Sequence, residues 1–170
     1  MKRLLLILLA LAMAAAILGC SINDSDILEP VEFYYRLVLD ENQVADMVIA
    51  SEIREAAGHS GDLNYLLSQY LHGPLDETLT APFPKGCKLQ RITWDQDTLC
   101  VTLDSAITAL KNMDRTLACA CIAKTCFSLT EIGQVRIVAP GTENTDPLDM
   151  TIGRDDLLLR DTTAPTENPQ

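Results

Sequence analysis

Residues 60–74 read SGDLNYLLSQYLHGP, and this stretch decides the fold. Leu63, Leu66, Leu67, Tyr70 and Leu71 recur at i, i+3, i+4, i+7 and i+8, which is one face of an α-helix. Ser60 or Asp62 offers a capping oxygen at its start. Gly73-Pro74 stops it, because glycine accepts a left-handed conformation and proline has no N–H to continue the ladder. An amphipathic helix with Leu67 near its middle needs an apolar surface to lie on. The flanking sequence supplies strands for that surface.

Downstream, Cys87 to Trp94 and Thr98 to Asp104 predict a hairpin around Asp95-Gln96-Asp97. Pairing Trp94 with Leu99 and Ile92 with Val101 puts the large apolar residues on the core face. Arg91, Thr93, Cys100 and Thr102 are left on a wetter face. Asp114 is placed to cap a second helix, in which Cys119, Ile122, Cys126 and Leu129 form one stripe ending at Gly133. Val135 to Val138 reads as a buried strand, and Pro147 to Arg160 as a partly apolar extension of the sheet edge. Upstream, Val31 to Leu39 (VEFYYRLVL) is an opening strand. Met47 to Ala50 suits a second extended piece and Ile53 to Ala57 suits the start of a helix, and the pattern leaves that boundary open. The expected class is α+β, with a mixed sheet of about four strands and two main helices packed on one face.

The N-terminus carries a different signal. Lys2 and Arg3 precede an unbroken apolar run from Leu4 to Leu18, then Gly19-Cys20. That is the order of a secretory signal. As a helix the run spans roughly 22 Å at about 1.5 Å per residue, short of a hydrocarbon core of about 30 Å. Ile17-Leu18-Gly19-Cys20 resembles the bacterial lipobox, although Leu18 stands where alanine or serine is commoner. The expected organisation is a lipoprotein signal peptide at 1–19, lipidation at Cys20, a tether at 20–30, a single domain at 31–160 and a disordered tail at 161–170. An uncleaved signal anchor with an incidental Cys20 is the alternative, and it places the protein on the same side of the membrane. Each buried CH₂ of an acyl chain contributes about 0.8 kcal/mol, so two or three chains anchor a small domain firmly at the outer face of the plasma membrane.

The chain has 24 acidic and 13 basic side chains, a net charge of −11, and loss of Lys2 and Arg3 makes it more acidic still. A nucleic-acid partner needs a basic surface and is excluded on this balance. Electrostatic adhesion to anionic lipid is excluded too, so contact with the bilayer is expected through acylated Cys20 alone.

Four short motifs, in order, resemble the GerMN domain of sporulation and spore-germination lipoproteins. Tyr70-Leu71-His72-Gly73-Pro74 is similar to the family's L-L-x-G-P, and Pro84-Lys85-Gly86-Cys87-Lys88-Leu89 to its P-x-G-x-x-L. Val101-Thr102-Leu103-Asp104-Ser105 resembles V-D-L-S with one residue shifted, and Ser128-Leu129-Thr130-Glu131-Ile132 resembles T-L-T-E-F. Order and spacing across Val31 to Arg160 carry the likeness. It implies a fold similar to ring-building modules and carries over no catalytic residue.

The residues themselves offer little chemistry. In a helix Cys119 and Cys126 share a face, whereas Cys121 lies about 200° round from Cys119 at about 100° per residue. Three thiolates on one ion would require that helix to break. His59 and His72 lack zinc spacing. The five cysteines other than Cys20 cannot all pair within one chain, and the sequence leaves any disulfide open. The carboxylates cluster in turns such as Asp95 with Asp97, and there is no nucleophile elbow. No cofactor, metal or catalytic residue is therefore expected.

The expected function is a non-enzymatic module binding an envelope protein, which the resemblance places in sporulation or germination. The candidate surface is Arg91, Thr93 and Thr102. A sensory or ligand-binding accessory to a membrane sensor kinase is the alternative. Self-assembly stays open, because one copy of the domain lacks the second surface that a propagating chain requires.

Overall fold

The computed structural model describes residues 29–38 and 48–157. The expectations for the signal peptide, Cys20, most of the tether and the tail lie outside the described residues. The elements are β1 (Pro30–Leu37), β2 (Ile49–Glu55), α1 (Leu63–Leu71), β3 (Leu79–Thr80), β4 (Leu89–Asp95), β5 (Thr98–Leu103), α2 (Asn112–Leu129), β6 (Gln134–Ala139) and β7 (Leu148–Gly153). Short 3-10 turns follow β5 and β7.

Strands β4-β5-β6-β7 form a mixed four-stranded sheet in that order. The β5–β6 pair is parallel and the other two are antiparallel. A parallel pair needs a long crossover, and α2 lies within it. Its inner face carries Leu99, Val101, Leu103, Val135 and Ile137, all at most 1 % exposed. Against this face pack Leu67 and Tyr70 of α1 and Ile122 of α2. The α+β class, the four-stranded mixed sheet and the two helices agree with the sequence. So does the hairpin register of Ile92 with Val101, Thr93 with Cys100 and Trp94 with Leu99.

Several local expectations are corrected. Trp94 has the expected partner but is 57 % exposed, because β4 is the outermost strand of its sheet among the described residues. Asp114 does not cap α2. Lys111 occupies the cap without a side-chain bond, and Asp114 in the first turn pairs with Arg36 at 3.3 Å. Asp62, not Ser60, caps α1, accepting from the Tyr65 N–H at 3.0 Å. Residues 53–55 extend a strand and start no helix.

A second sheet, in the order β2-β1-β3, was not visible in the sequence. One reason is that β3 has two residues. Another is that β2 turns Glu52 and Arg54 toward the side of Phe33 and Tyr35, while Ile53 is 72 % exposed. That inverts the usual apolar-in pattern.

Strand β1 is paired with β3 only at Arg36 and Leu37, so its second edge is strandless at Glu32 and Tyr34. Helix side chains take over there. The Tyr34 N–H donates to Thr125 Oγ1 at 2.9 Å, and the Tyr34 carbonyl accepts from the Tyr70 hydroxyl at 2.9 Å. The Glu32 carbonyl accepts from Ser128 Oγ at 2.6 Å. Helix α2 thus meets β1 on one flank and the four-stranded sheet on another, and Cys119, Cys121, Ile122, Thr125 and Cys126 are all buried.

Thr125→Val keeps the side-chain shape and removes the acceptor for the Tyr34 N–H. An orphaned buried donor costs about 1–3 kcal/mol, so denaturant melts should show the variant less stable by that amount, with an unchanged m-value. No change would mean the strand edge is satisfied by other means.

Candidate interaction surfaces

The end of α1 is held by an ion pair on the inner face of β2. Arg54 Nη2 donates to the Gly73 carbonyl at 2.6 Å and to the Tyr35 hydroxyl at 3.3 Å. Its guanidinium lies 5.2 Å from the centre of the Phe33 ring. Arg54 Nε is bonded to Glu52 Oε1, and Glu52 Oε2 accepts from the backbone N–H groups of Leu75 and Asp76 at 2.8 and 3.0 Å. Gly73 has φ +97°, which is why this corner requires glycine. Burial opposes ionisation of Glu52, but the bonds from Arg54, Asp76 and Leu75 outweigh it and hold the carboxyl below its usual range.

Beyond this corner lies a groove of about 880 Å³ between the end of α1 and residues 80–89. Leu71, Phe83, Pro84 and Leu89 give it apolar walls, and Lys85 and Lys88 stand on its rim. Gly73-Pro74 and Pro84 to Leu89 both line it, so two of the four sequence motifs meet there. The other two are joints as well. Asp104 accepts from the Ala106 N–H at 3.2 Å and starts the turn after β5. Arg154 caps α2 by donating to the carbonyls of Thr130 at 2.8 Å and Ile132 at 3.0 Å. Asp97, read as a solvated turn residue, accepts from the Gly133 N–H at 2.8 Å. A Cβ on Gly133 would run into that carboxylate.

The structure places Arg91, Thr93 and Thr102 together on the outer face of the four-stranded sheet. Arg91 is directly opposite Thr102, and Thr93 is opposite Cys100. Arg136, Thr151 and Asp149 continue the face, with Arg136 and Asp149 in a two-bonded pair at 2.8 and 2.6 Å. Both partners are half exposed, so the pair adds little stability.

The five cysteines among the described residues are free thiols. Burial pushes Cys121 and Cys126 up to about 12 and Cys119 up to about 11. Burial, reinforced by Asp104, pushes Cys87 up to about 12. Helix α2 is unbroken, and no three potential metal ligands converge among the described residues. Sequence reasoning missed the Glu52–Arg54 pair and the groove. The only available signal was two opposite charges at alternate positions of an otherwise strand-like segment.

Two helices over a four-stranded mixed sheet, with a small second sheet beside α2, define a GerMN-type domain. A structure of the tandem GerMN domains of the sporulation protein GerM from Bacillus subtilis matches with a TM-score of 0.50 and 16 % identity. The match covers 77 % of this chain and 48 % of that one, so this chain spans about half its length. The chain belongs to the Germane family, described as sporulation and spore germination, whose model matches residues 32–145. A candidate lipoprotein from Clostridium perfringens also matches, with a TM-score of 0.43 and 19 % identity over 75 % of this chain and 88 % of that one. Comparison with curated proteins returns no match.

Glu52→Gln keeps the shape of the corner but loses the charge, which should cost about 1 kcal/mol at neutral pH, since solvent screens part of the pair's attraction. The folded pKa of Glu52 lies below the unfolded one, so its stabilisation is fully present above the ordinary glutamate value. It is lost as pH falls through the folded value. Melts of both proteins should therefore converge in acid; a gap independent of pH would contradict a charge-based role.

Proposed function

We propose that the chain is a lipid-anchored, non-enzymatic interaction module at the outer face of the plasma membrane, and that it serves sporulation or spore germination by binding another envelope protein. The observation that carries this reading is the outer face of the four-stranded sheet. Both helices lie on the other face, and Arg91, Thr93, Arg136, Asp149 and Thr151 stay exposed. A sheet face without a covering layer is available to a partner. Membership of the Germane family supplies the biological setting. The anchor rests on the signal and lipobox of residues 1–20. Among the described residues no helix is long and apolar enough to cross a membrane.

The groove favours a second reading, a sensory or ligand-binding accessory to a sensor kinase or other envelope complex. Apolar walls with a few polar groups suit a small-molecule site.

Two measurements test the first reading. Cys20→Ser should abolish fatty-acid labelling and leave the precursor uncleaved; continued labelling would remove the lipid anchor. Photocrosslinking probes at Thr93 and Thr102, in sporulating cells of the source, should capture one envelope protein. Crosslinks obtained only from the helical side would refute this surface, and turnover of an envelope substrate would end the non-enzymatic reading.

A further inference from the structure

We infer that the groove and the free edge of β4 form one docking site for an extended acidic segment of a partner protein. The segment adds a strand to β4 and seats an apolar side chain in the groove. This rests on the proposal that the domain binds a protein, and it names the partner's chemistry.

Strand β4 is the outermost strand of its sheet, paired only with β5. Among the described residues, no backbone hydrogen bond from residues 90–95 reaches any other element. Such an edge is a template for an incoming strand, whose main-chain bonds supply affinity while alternate side chains supply selectivity. The edge begins at Leu89, itself a wall of the groove, so a chain running along β4 passes over the groove mouth. At the far end stands Trp94, the one tryptophan in the protein, 57 % exposed. Leu89, Ile92 and Trp94 share the inner side of the edge, and Arg91 and Thr93 share the outer side.

Charge selects the occupant. Lys85, Lys88 and Arg91 fall within one short stretch and form no ion pair among the described residues, whereas Arg36, Arg54 and Arg136 each have a carboxylate partner. One carboxylate, Asp104, lies beside the groove-lining Cys87, and the three cations outnumber it. Lys85 and Lys88 at the groove and Arg91 on the outer side of the adjoining edge, on a chain of net charge −11, match carboxylates. An added strand alternates its side chains. Apolar residues therefore face the groove and Trp94, and acidic residues between them face Arg91.

The test uses the unacylated chain from residue 20 onward and a fluorescein-labelled peptide alternating aspartate and leucine. A lysine–leucine peptide of equal length is the control. The acidic peptide should bind saturably, raising anisotropy and shifting Trp94 emission, and the basic peptide should not. Lys85→Glu with Lys88→Glu and Arg91→Glu should weaken binding at least tenfold. Lys88→Arg with Arg91→Lys should retain it, and circular dichroism checks that all variants fold. Absence of binding, equal binding of both peptides, or indifference to charge reversal would overturn the inference. Competition by inorganic phosphate alone would also overturn it, pointing to a small-anion site. Crosslinks from Thr102 in cells without peptide binding would sink this inference and leave the proposed function standing.

Discussion

Strand β1 presents hydrogen-bonding groups that no strand reaches, and the architecture depends on how they are satisfied. An unpaired backbone group away from water costs as much as a lost hydrogen bond. Here the side chains of Thr125, Ser128 and Tyr70 supply the missing partners at Tyr34 and Glu32. Because Tyr70 belongs to α1 and the other two to α2, one strand edge fixes both helices. The Tyr35 hydroxyl returns a bond to the Tyr70 carbonyl at 2.9 Å, which closes the junction. Helix α2 must then be buried on two flanks, which explains why five of its six residues from Ala118 to Ala123 are small or thiol-bearing. Small side chains let backbone elements approach closely on both sides.

The Glu52–Arg54 pair has a related role. Desolvating two charges is expensive, and a buried ion pair is weak support for stability unless its remaining donors and acceptors are used. In this structure they are used on the backbone of residues 73–76. The pair specifies where the chain turns after α1, and so where one wall of the groove stands. The family motifs are joints of this kind. Gly73-Pro74, Asp104-Ser105 and the segment from Ser128 to Ile132 each mark a chain reversal held by a named side chain, which accounts for a signature that specifies the fold.

The proposed function rests on surfaces. The outer sheet face and the β4 edge meet at Arg91, one with a polar, alternating lining and the other with an apolar groove at its start. On the proposed lipid tether such surfaces would stand close to the membrane, where tethering raises the effective concentration of a partner in the same plane.

Periodicity alone determined α1, the hairpin register, the last two strands and the α+β class, because alternation and helical spacing report which side of an element is buried. The same pattern put Arg91, Thr93 and Thr102 on one face. The order of the motifs was also legible in residues alone. Periodicity could not reveal what happens where polar groups are buried in pairs. The segment from Met47 to Ala57 was open between strand and helix start, because β2 turns Glu52 and Arg54 inward in place of apolar residues, and the second sheet stayed hidden. Nor could it locate Trp94, whose exposure follows from the end position of β4 in the sheet. The burial of Cys121 required knowing that α2 is covered on two flanks. The groove, the clamp on Gly73 and the capped edge of β1 join residues far apart in the chain. Only tertiary structure decides them, because the partner that satisfies a buried polar group is chosen by proximity in space.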